Sequence, residues 1–443
     1  FLDEFEPHEA SFFIYSYIRT DIKDKTTRPV LFSYGGGPGD ASIPLGMWTP
    51  KIKNPQQGVS APYLEPVDNP DWPIDATDII CIDPPGAGYA KIYNYAARSK
   101  YWGIQPDALA FIDMFKHWLT KYGRWLSPKY IAGTSYGGMR TAVLTDLLCG
   151  GPYYTDQRQY AHGIALNGAA ISASSLELDM RSLDLNSAGY LISTAKSMRT
   201  YAAVNWYWNR EGKPELIEFL NEADRFVADD YLRAQWLCTA MDKADKESFL
   251  KKFSYYCGLP ASMLDKLPNY EIDVNVFINS LLADKGLRVS LYDGRDALPS
   301  SDTLGFFEDY ADDPTNALGT FTVAPLARHY YRSFLGIELD REWLEVNFDA
   351  NCQWTWTSNR SMIQHLESAM RRNPEMHTLI IGGVFDLAAG IGANKYALRH
   401  SGIDMSRILL VDLENSGHHT DRDPESSADY AQHLRDLIKR STR

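Results

Sequence analysis

The 443-residue sequence contains few cysteines, and they are widely spaced. They form no CxxC pair, so a disulfide framework and a zinc site are both disfavoured; the five are Cys81, Cys149, Cys238, Cys257 and Cys352. Basic residues are also outnumbered, because 44 Lys and Arg stand against 57 Asp and Glu. Nucleic-acid-binding proteins concentrate Lys and Arg on one face, so a formal net charge of −13 argues against a nucleic acid as partner.

Long apolar runs are missing as well. No stretch approaches the roughly 18 apolar residues of a membrane span, so the sequence predicts no membrane partner. The first residues are acidic where a signal peptide would be basic and then apolar. Because the chain begins with Phe1, the compartment stays open, and the missing signal and disulfide patterns favour a soluble protein, with the cytoplasm slightly ahead. No feature indicates a metal or an organic cofactor, and a homodimer is left open.

Short apolar runs bounded by turn-forming residues predict buried parallel strands. Patterns with helical spacing lie between these runs, for example at residues 107–122 and 426–439. Alternating strands and helices predict an α/β fold with a mostly parallel central sheet and helices on both faces. The predicted strands are residues 30–34, 79–83, 130–133, 163–167, 379–382 and 408–411.

The character of the chain changes at about residue 173. As far as residue 355, charged and apolar residues alternate over long helical windows, such as 214–236 and 243–253. This pattern predicts a largely helical insertion, or cap, over the sheet. The predicted domains are therefore residues 1–172 for the first part of the core, 173–355 for the cap and 356–443 for the second part of the core.

Residues 130–142 combine a buried strand, a Gly-x-Ser-x-Gly motif centred on Ser135 and a stretch compatible with a helix. In such an elbow, glycines two positions before and after the serine let strand and helix approach closely. The turn places the hydroxyl at a helix N-terminus, where developing negative charge is stabilised. We predict that Ser135 is a nucleophile, with an ordinary glycine-rich turn as the alternative.

A second glycine-rich loop follows the first strand at residues 34–39, with the sequence YGGGPG. An acyl-transfer enzyme needs more than one N–H donor for its oxyanion, and a loop after a different strand supplies the second. A phosphate-binding loop is disfavoured, since neither a GKS or GKT ending nor a GxGxxG pattern is present. We predict an oxyanion loop, and a tight turn is the alternative.

Two late strands end in an acid and a histidine. In α/β-hydrolases the triad follows the chain order serine, acid, histidine. The strand at 379–382 leads to Asp386, and the strand beginning at residue 408 leads to His418 and His419. Gly417 favours His418 over its neighbour. The sequence thus predicts an α/β-hydrolase fold with Ser135, Asp386 and His418 as its triad.

Two other carboxylates compete with Asp386. Asp412 belongs to the same strand as the histidine loop, and Asp421 follows the histidine. Both are interpreted as surface carboxylates. Arg140 and Arg98 could meet an anionic substrate group, and a solvated or paired surface arginine is the favoured interpretation of each.

These motifs together resemble the serine carboxypeptidase family, peptidase family S10, and particularly its microbial branch. The resemblance implies that Ser135, Asp386 and His418 form the triad and that the backbone N–H groups of Gly37 and Tyr136 form the oxyanion hole. The matching segments are residues 36–39 (GGPG), 62–63 (PY), 68–72 (DNPDW), 82–89 (IDPPGAGY), 101–103 (YWG), 135–138 (SYGG), 383–386 (GVFD) and 417–418 (GH).

The sequence departs from the family at the residues that bind a peptide's C-terminal carboxylate. Family members carry Asn before GGPG and Glu before the serine, where this chain has Gly35 and Thr134. A further family Glu shortly after GGPG is also missing. With Gly36, these two positions form the predicted substrate-binding residues. We expect weak exopeptidase activity and a pH optimum nearer neutrality, because a charge-assisted bond is lost and His418 is left as the obligatory titrating group.

Three functions follow as hypotheses. The first is a hydrolase that cleaves an amide or ester in a small-molecule or peptide-like acyl substrate. The second is an acyltransferase or cyclising enzyme of specialised metabolism, since plant members of the family have become acyltransferases. The third is a catalytically silent binding protein, against which the intact triad argues.

Overall fold

The computed structural model describes residues 9–43, 45–53, 64–151, 163–177, 192–300, 313–358 and 360–442. The motif at residues 62–63 lies outside these ranges. The strands are β1 (Ala10–Ser11), β2 (Phe13–Tyr17), β3 (Val30–Tyr34), β4 (Lys51–Lys53), β5 (Pro66–Asp68), β6 (Asp78–Asp83), β7 (Lys91–Ile92), β8 (Lys129–Thr134), β9 (Gly168–Ser172), β10 (Leu287–Val289), β11 (Ala297–Pro299), β12 (His377–Gly383) and β13 (Ile408–Leu413).

The α-helices follow the same chain order. They are α1 (Ile104–Tyr122), α2 (Tyr136–Leu148), α3 (Ser193–Trp208), α4 (Leu216–Phe226), α5 (Leu232–Leu237), α6 (Lys243–Cys257), α7 (Ala261–Leu264), α8 (Val274–Ser280), α9 (Pro314–Ser333), α10 (Phe348–Cys352), α11 (Met362–Arg372), α12 (Ile391–Arg399) and α13 (Pro424–Ser441). A π-helical stretch, Val227–Tyr231, joins α4 to α5.

Seven strands form the central sheet in the order β13-β12-β9-β8-β3-β6-β2. Every neighbouring pair is parallel except β2 and β6, which are antiparallel. Antiparallel β2 lies at the edge, as it does in many otherwise parallel sheets. The predicted mostly parallel sheet is confirmed.

Successive residues of the central strands pack on opposite faces of the sheet, because side chains alternate along a strand. Phe32 of β3 packs in the apolar cluster of α1, with Phe115 as a ring neighbour. Leu31, the residue before it, packs in the cluster of α13 with Tyr130 and Leu434. Helices therefore cover both faces, as predicted, and the strands read as continuous apolar runs because both sides are buried.

One predicted strand is wrong. Residues 163–167 are not a strand, and the ladder begins five residues later with Gly168 of β9. Asn167 precedes it and holds two other segments through its side chain, which accepts from Lys129 N (3.0 Å) and donates to Ser441 O (2.9 Å). The strand itself, GAAIS, lacks the large β-branched residues typical of strands. A Cβ at Gly168 would lie 2.9 Å from the Tyr130 ring, so tight packing requires the small residue.

The segment between β9 and β12 is largely helical in its described residues. Helices α3, α4 and α6 share an apolar cluster that includes Tyr201, Phe219 and Phe253. Val384 and Phe385, directly after β12, belong to the same cluster. The hairpin of β10 and β11 is a strand element within this segment. The predicted domain boundaries stay a prediction.

The carboxyl ends of β3, β8, β12 and β13 meet at one edge of the sheet because these strands are parallel. The glycine-rich loop, Ser135, Asp386 and His418 each follow one of these ends. No helix in the described residues is long and apolar enough to cross a membrane.

Candidate active site

Ser135 lies in a sharp turn between β8 and α2. Its backbone has φ 57° and ψ −127°, a conformation that non-glycine residues rarely adopt. A Cβ at Gly133 would overlap the carbonyl oxygen of Gly137, and one at Gly137 would lie 2.5 Å from the carbonyl oxygen of Gly35. The two glycines thus permit the close approach expected of a nucleophile elbow.

The glycine-rich loop packs directly against this elbow through Gly36. A Cβ at Gly36 would lie 2.7 Å from Ser135 Cβ and 3.1 Å from the backbone nitrogen of Tyr136. Tyr136 is the first residue of α2, so its N–H has no acceptor within the helix. Gly37 has φ 95°, which favours glycine. The two N–H groups predicted for the oxyanion hole therefore belong to segments in direct contact.

The structure brings His418 and Asp386 together. His418 Nδ1 and Asp386 Oδ2 are 2.9 Å apart, and both side chains are buried. The other carboxylate oxygen, Oδ1, accepts backbone N–H groups from Ala388 and Ala389, each at 2.9 Å. These bonds fix the carboxylate so that one oxygen faces the imidazole.

The pKa of His418 is raised above its usual value of 6.5. Burial alone would lower this pKa, but the charge and hydrogen bond of Asp386 outweigh it, and the charges of Asp40 and Asp313 add to the increase. The imidazolium is therefore stabilised in the folded site, as a base that must accept a proton requires.

The competing residues have other partners. Burial and the neighbouring His418 lower the pKa of His419. Asp412 pairs with Arg199 and Lys395, and Asp421 accepts from the backbone of Met47 at 3.4 Å. The histidine that meets an acid at the sheet edge is thus His418, the one that Gly417 favoured.

A short chain of hydrogen bonds connects the elbow to the histidine loop. The backbone N–H of Ser135 donates to Ser172 O at 3.0 Å. Ser172 Oγ lies 3.1 Å from Thr420 Oγ1, two residues beyond His418. The end of β9, between β8 and β12 in the sheet, therefore spaces the serine and the histidine loop.

Arg140 corrects one expectation, because it is neither at the surface nor available to an anionic substrate. It is 1% exposed, its Nε lies 2.6 Å from Asp107 Oδ2, and its Nη1 donates to Gly35 O at 2.9 Å. Its guanidinium also lies 4.5 Å from the centre of the Phe111 ring. Arg140 anchors the glycine-rich loop to α2. Arg98 is exposed and bonds to Gln353 at 2.8 Å.

The predicted substrate-binding residues Gly35, Gly36 and Thr134 all lie at the elbow. A Cβ at Gly35 would be 2.6 Å from Ala41 O, so this backbone closes the space that a larger side chain would need. The carbonyl oxygen of Thr134 would lie 2.6 Å from a Cβ at Gly36. At both positions the elbow presents backbone and not an acidic or amide side chain.

Two carboxyl groups beside the glycine-rich loop were missed in the sequence. Burial raises the pKa of Asp40 to about 6, and burial together with the charge of Asp40 raises the pKa of Glu345 to about 7. Asp40 directly follows GGPG and bridges Val346, while Ala41 N donates to Glu345 O at 2.9 Å. The position of Asp40 could have been noticed, whereas nothing in the sequence connects distant Glu345 to this loop.

A second row of serine, histidine and aspartate lies away from the elbow. His365 Nδ1 is 2.8 Å from Asp146 Oδ2, and its Nε2 is 3.4 Å from Ser358 Oγ. Asp146, however, also binds Arg360 and Arg372, and Ser358 Oγ donates to Arg360 O at 2.7 Å. This serine is held by a local turn, so the row is a structural network between α2 and α11.

Solved structures with similar folds support the architecture. The prohormone-processing carboxypeptidase Kex1Δp from Saccharomyces cerevisiae matches with a TM-score of 0.56 and 13% identity, over 99% of this chain and 88% of that chain. A proline iminopeptidase from Mycobacterium smegmatis gives a TM-score of 0.39 and 16% identity, over 97% and 96%. A carboxylesterase from the thaumarchaeon Nitrososphaera gargenis gives 0.41 and 11%, over 98% and 97%. The fold is that of the α/β-hydrolases.

The family is shown by sequence. No curated protein sequence matches the chain. The family model of serine carboxypeptidases, by contrast, matches residues 1–409, which include the glycine-rich loop, the elbow and Asp386 and stop before His418. The chain belongs to the serine carboxypeptidase family, peptidase family S10.

Proposed function

We propose that this chain is a serine hydrolase that cleaves an amide or ester through an acyl-enzyme. Ser135 is the nucleophile, His418 the general base and Asp386 the group that orients the base. The observation that supports this function best is the 2.9 Å bond between His418 Nδ1 and Asp386 Oδ2, at the sheet edge where β8 ends in the strained elbow of Ser135.

The proposed reaction has two halves. Nε2 of His418 takes the Ser135 proton as the serine oxygen attacks the acyl carbonyl, and the imidazolium then protonates the leaving group. Water attacks the acyl-enzyme in the second half, with His418 again accepting a proton. Backbone N–H groups of Gly37 and Tyr136 stabilise the oxyanion, a contribution worth roughly 10²–10³ in kcat per donor.

The substrate is proposed to be a small-molecule or peptide-like acyl compound and not an ordinary peptide with a free C-terminus. Gly35 and Thr134 offer no carboxyl or amide group where family members bind the terminal carboxylate. Asp40 and Glu345, near the loop, become negative as the pH rises through about 6 and about 7. Two negative groups repel a carboxylate at neutral pH.

The nucleophile can be tested with a fluorophosphonate probe, because such a probe reacts only with an activated serine. We expect one label on the wild-type protein, mapped to Ser135 by peptide mass spectrometry, and none on Ser135→Ala. The matched control is Ser358→Ala, since Ser358 also lies near a histidine hydrogen-bonded to an aspartate. This variant should label like the wild type. Labelling of Ser358, or no labelling of the folded wild type, would contradict the proposed triad.

Hydrolysis and acyl transfer give different products from the same acyl-enzyme. We would incubate the enzyme with a panel of activated esters and amides, with and without an added alcohol or amine, and identify the products by mass spectrometry. Free acid as the main product in both cases supports a hydrolase. A new ester or amide that forms at the expense of the acid would instead establish an acyltransferase.

A further inference from the structure

The turn between β10 and β11, residues 290–296, packs against the histidine loop from the side of the inserted segment. We call this turn the clamp loop. The backbone N–H of His418 donates to Tyr292 O at 2.7 Å. The ring centroids of Tyr292 and His418 are 5.3 Å apart, with an edge-to-face orientation. The clamp loop therefore contacts both the backbone and the imidazole of the proposed base.

Gly417 permits this contact. A Cβ at Gly417 would lie 2.6 Å from Tyr292 O and 2.7 Å from Asp293 Cβ. Any larger residue would displace the histidine loop from the clamp loop. The glycine before the histidine is thus explained by the clamp loop.

The same loop also holds the segment that carries the acid. The backbone N–H of Gly294 donates to Phe385 O at 3.0 Å, one residue before Asp386. The Arg295 guanidinium lies 5.0 Å from the centre of the Phe385 ring. One loop therefore contacts both partners of the His418–Asp386 hydrogen bond.

Arg295 bridges the two ends of the histidine loop. Its Nη1 donates to Asn415 O at 3.2 Å, and its Nη2 lies 2.7 Å from Asp423 Oδ2. Its Nη2 and Nε also bind Asp293 within the clamp loop, at 2.6 and 2.9 Å. With the Arg295 side chain 18% exposed, this network is screened by salt less than a surface pair.

The clamp loop is itself firmly anchored. Asp313, at the N-terminus of α9, accepts from Ser290 Oγ (2.5 Å) and from Leu291 N (2.8 Å). Trp208 Nε1, at the end of α3, donates to Gly294 O at 2.7 Å. These anchors make the loop a rigid support and not a mobile lid.

We infer that the clamp loop positions the His418–Asp386 pair, and that Arg295 is the positioning residue on which this depends. Its effect on turnover rests on the proposed function. Reacting groups displaced by about 1 Å can lose about 10²-fold in rate, so a loosened histidine loop should show in kcat.

The central test replaces Arg295 with Met, which keeps the length of the side chain and removes the charge and donors. The matched control is Arg199→Met, because Arg199 is a buried arginine that also links the inserted segment to the core, through Asp224 and Asp412, away from the histidine loop. Kinetics are measured on an activated ester over a range of pH. Arg295→Met should lower kcat about tenfold or more, change KM less than about twofold and shift the acid limb of the profile to lower pH.

The direction of the pH shift follows from the geometry. A weaker bond to Asp386 removes the interaction that raises the pKa of His418, so the base deprotonates at lower pH. Arg199→Met should keep the wild-type kcat and limb. Arg295→Lys should restore part of kcat, because a single ammonium reaches one partner where the guanidinium fork reaches several.

Two results would overturn the inference. One is a folded Arg295→Met protein with the kcat and pH profile of the wild type, and the other is an equal loss of kcat in Arg199→Met. If Arg295→Met does not fold, Asp423→Asn removes one partly exposed partner of the same arginine. This variant should lower kcat in the same direction by a smaller factor, and an unchanged kcat would reject the clamp.

A spectroscopic readout separates the clamp from the proposed function. The proton between His418 Nδ1 and Asp386 should give a downfield resonance in the proton NMR spectrum, whether or not any substrate is turned over. Its loss in Arg295→Met and its retention in Arg199→Met support the clamp. Its retention in both rejects the clamp. Absence of fluorophosphonate labelling at Ser135 of the wild type rejects the proposed function alone.

Discussion

At the residue scale, charge around His418 sets the pH range in which the proposed base is free. Asp386, Asp40 and Asp313 all raise the pKa of His418 above 6.5, against the effect of burial. A base acts when deprotonated, so activity should rise as the pH increases through this raised pKa. This sign agrees with the expectation from the sequence of an optimum near neutrality, and a maximum below about pH 5 on an uncharged ester would contradict it.

Asp40→Asn tests the contribution of the carboxyl that follows GGPG. Removing its negative charge should lower the pKa of His418, so the acid limb of the kcat/KM profile should move to lower pH by about half a unit or more. The control is Glu345→Gln. This change should lower the pKa of Asp40 and keep it charged, so the limb should not move downward. A downward shift of the same size in both variants would show that Asp40 has no specific role.

Also at this scale, the sequence identified the groups that follow a strand within a recognisable motif. Ser135, Asp386 and His418 were predicted because chain order and strand ends suffice to place them. Asp40 and Glu345 were not, since their raised pKa values depend on burial and on the pairing of residues 40 and 346. The clamp loop likewise has no motif and is recognised by its contacts alone.

At the scale of elements, the glycine-rich loop and the elbow behave as one unit because backbone meets backbone. Gly36→Ala places a Cβ 2.6 Å from Thr134 O and 2.7 Å from Ser135 Cβ. The loop must move away from the elbow, and with it the N–H of Gly37. We expect kcat to fall roughly 10²- to 10³-fold, as on loss of one oxyanion donor, while the protein remains folded.

Gly382→Ala provides the control for this change. Gly382 lies in β12, on the strand that leads to Asp386, but a Cβ there would meet Ile391 Cδ1 at an ordinary 3.4 Å. Its kcat should stay within about twofold of the wild type. Circular dichroism melting of both variants separates a local effect from unfolding. A Gly36→Ala enzyme with wild-type kcat would show that the loop contributes no oxyanion donor.

Elements were predicted well where large apolar residues mark them. The strand at residues 30–34 coincides with β3, and the predicted helix at 107–122 lies within α1. Strand β9 was missed because its alanines and glycine carry no strand signal, although its place between β8 and β12 demands small side chains. Tertiary packing, which a single sequence does not display, decided that element.

At the scale of the whole molecule, one buried acid connects stability to pH. Asp83, at the end of β6, is fully buried and accepts backbone N–H groups from Ser42 (2.7 Å) and Tyr89 (3.3 Å). Burial outweighs these bonds and raises its pKa from 3.8 to about 7. Because the folded pKa is the higher one, the contribution to stability is complete below about pH 4 and is lost as the pH rises toward 7.

Asp83→Asn removes this titration. Its melting temperature, measured relative to the wild type, should therefore rise between pH 5 and pH 8, whatever constant cost the amide imposes. Asp75→Asn is the control, since the hydrogen bond from Arg435 lowers the pKa of Asp75 and this acid stays charged over the whole range. Its melting temperature relative to the wild type should be flat. A flat difference for Asp83→Asn as well would show that Asp83 does not titrate with folding.

The order of the strands has a consequence for how the protein is made. Strands β8 and β9 neighbour each other and come early in the chain, whereas β12 joins β9 in the sheet only after the long inserted segment has been synthesised. Domains tend to fold from the N-terminus as the chain leaves the ribosome. A nascent chain that has reached residue 377 can thus form its elbow while it has neither Asp386 nor His418. The serine stays chemically silent throughout translation and becomes reactive only when the last strand has been released.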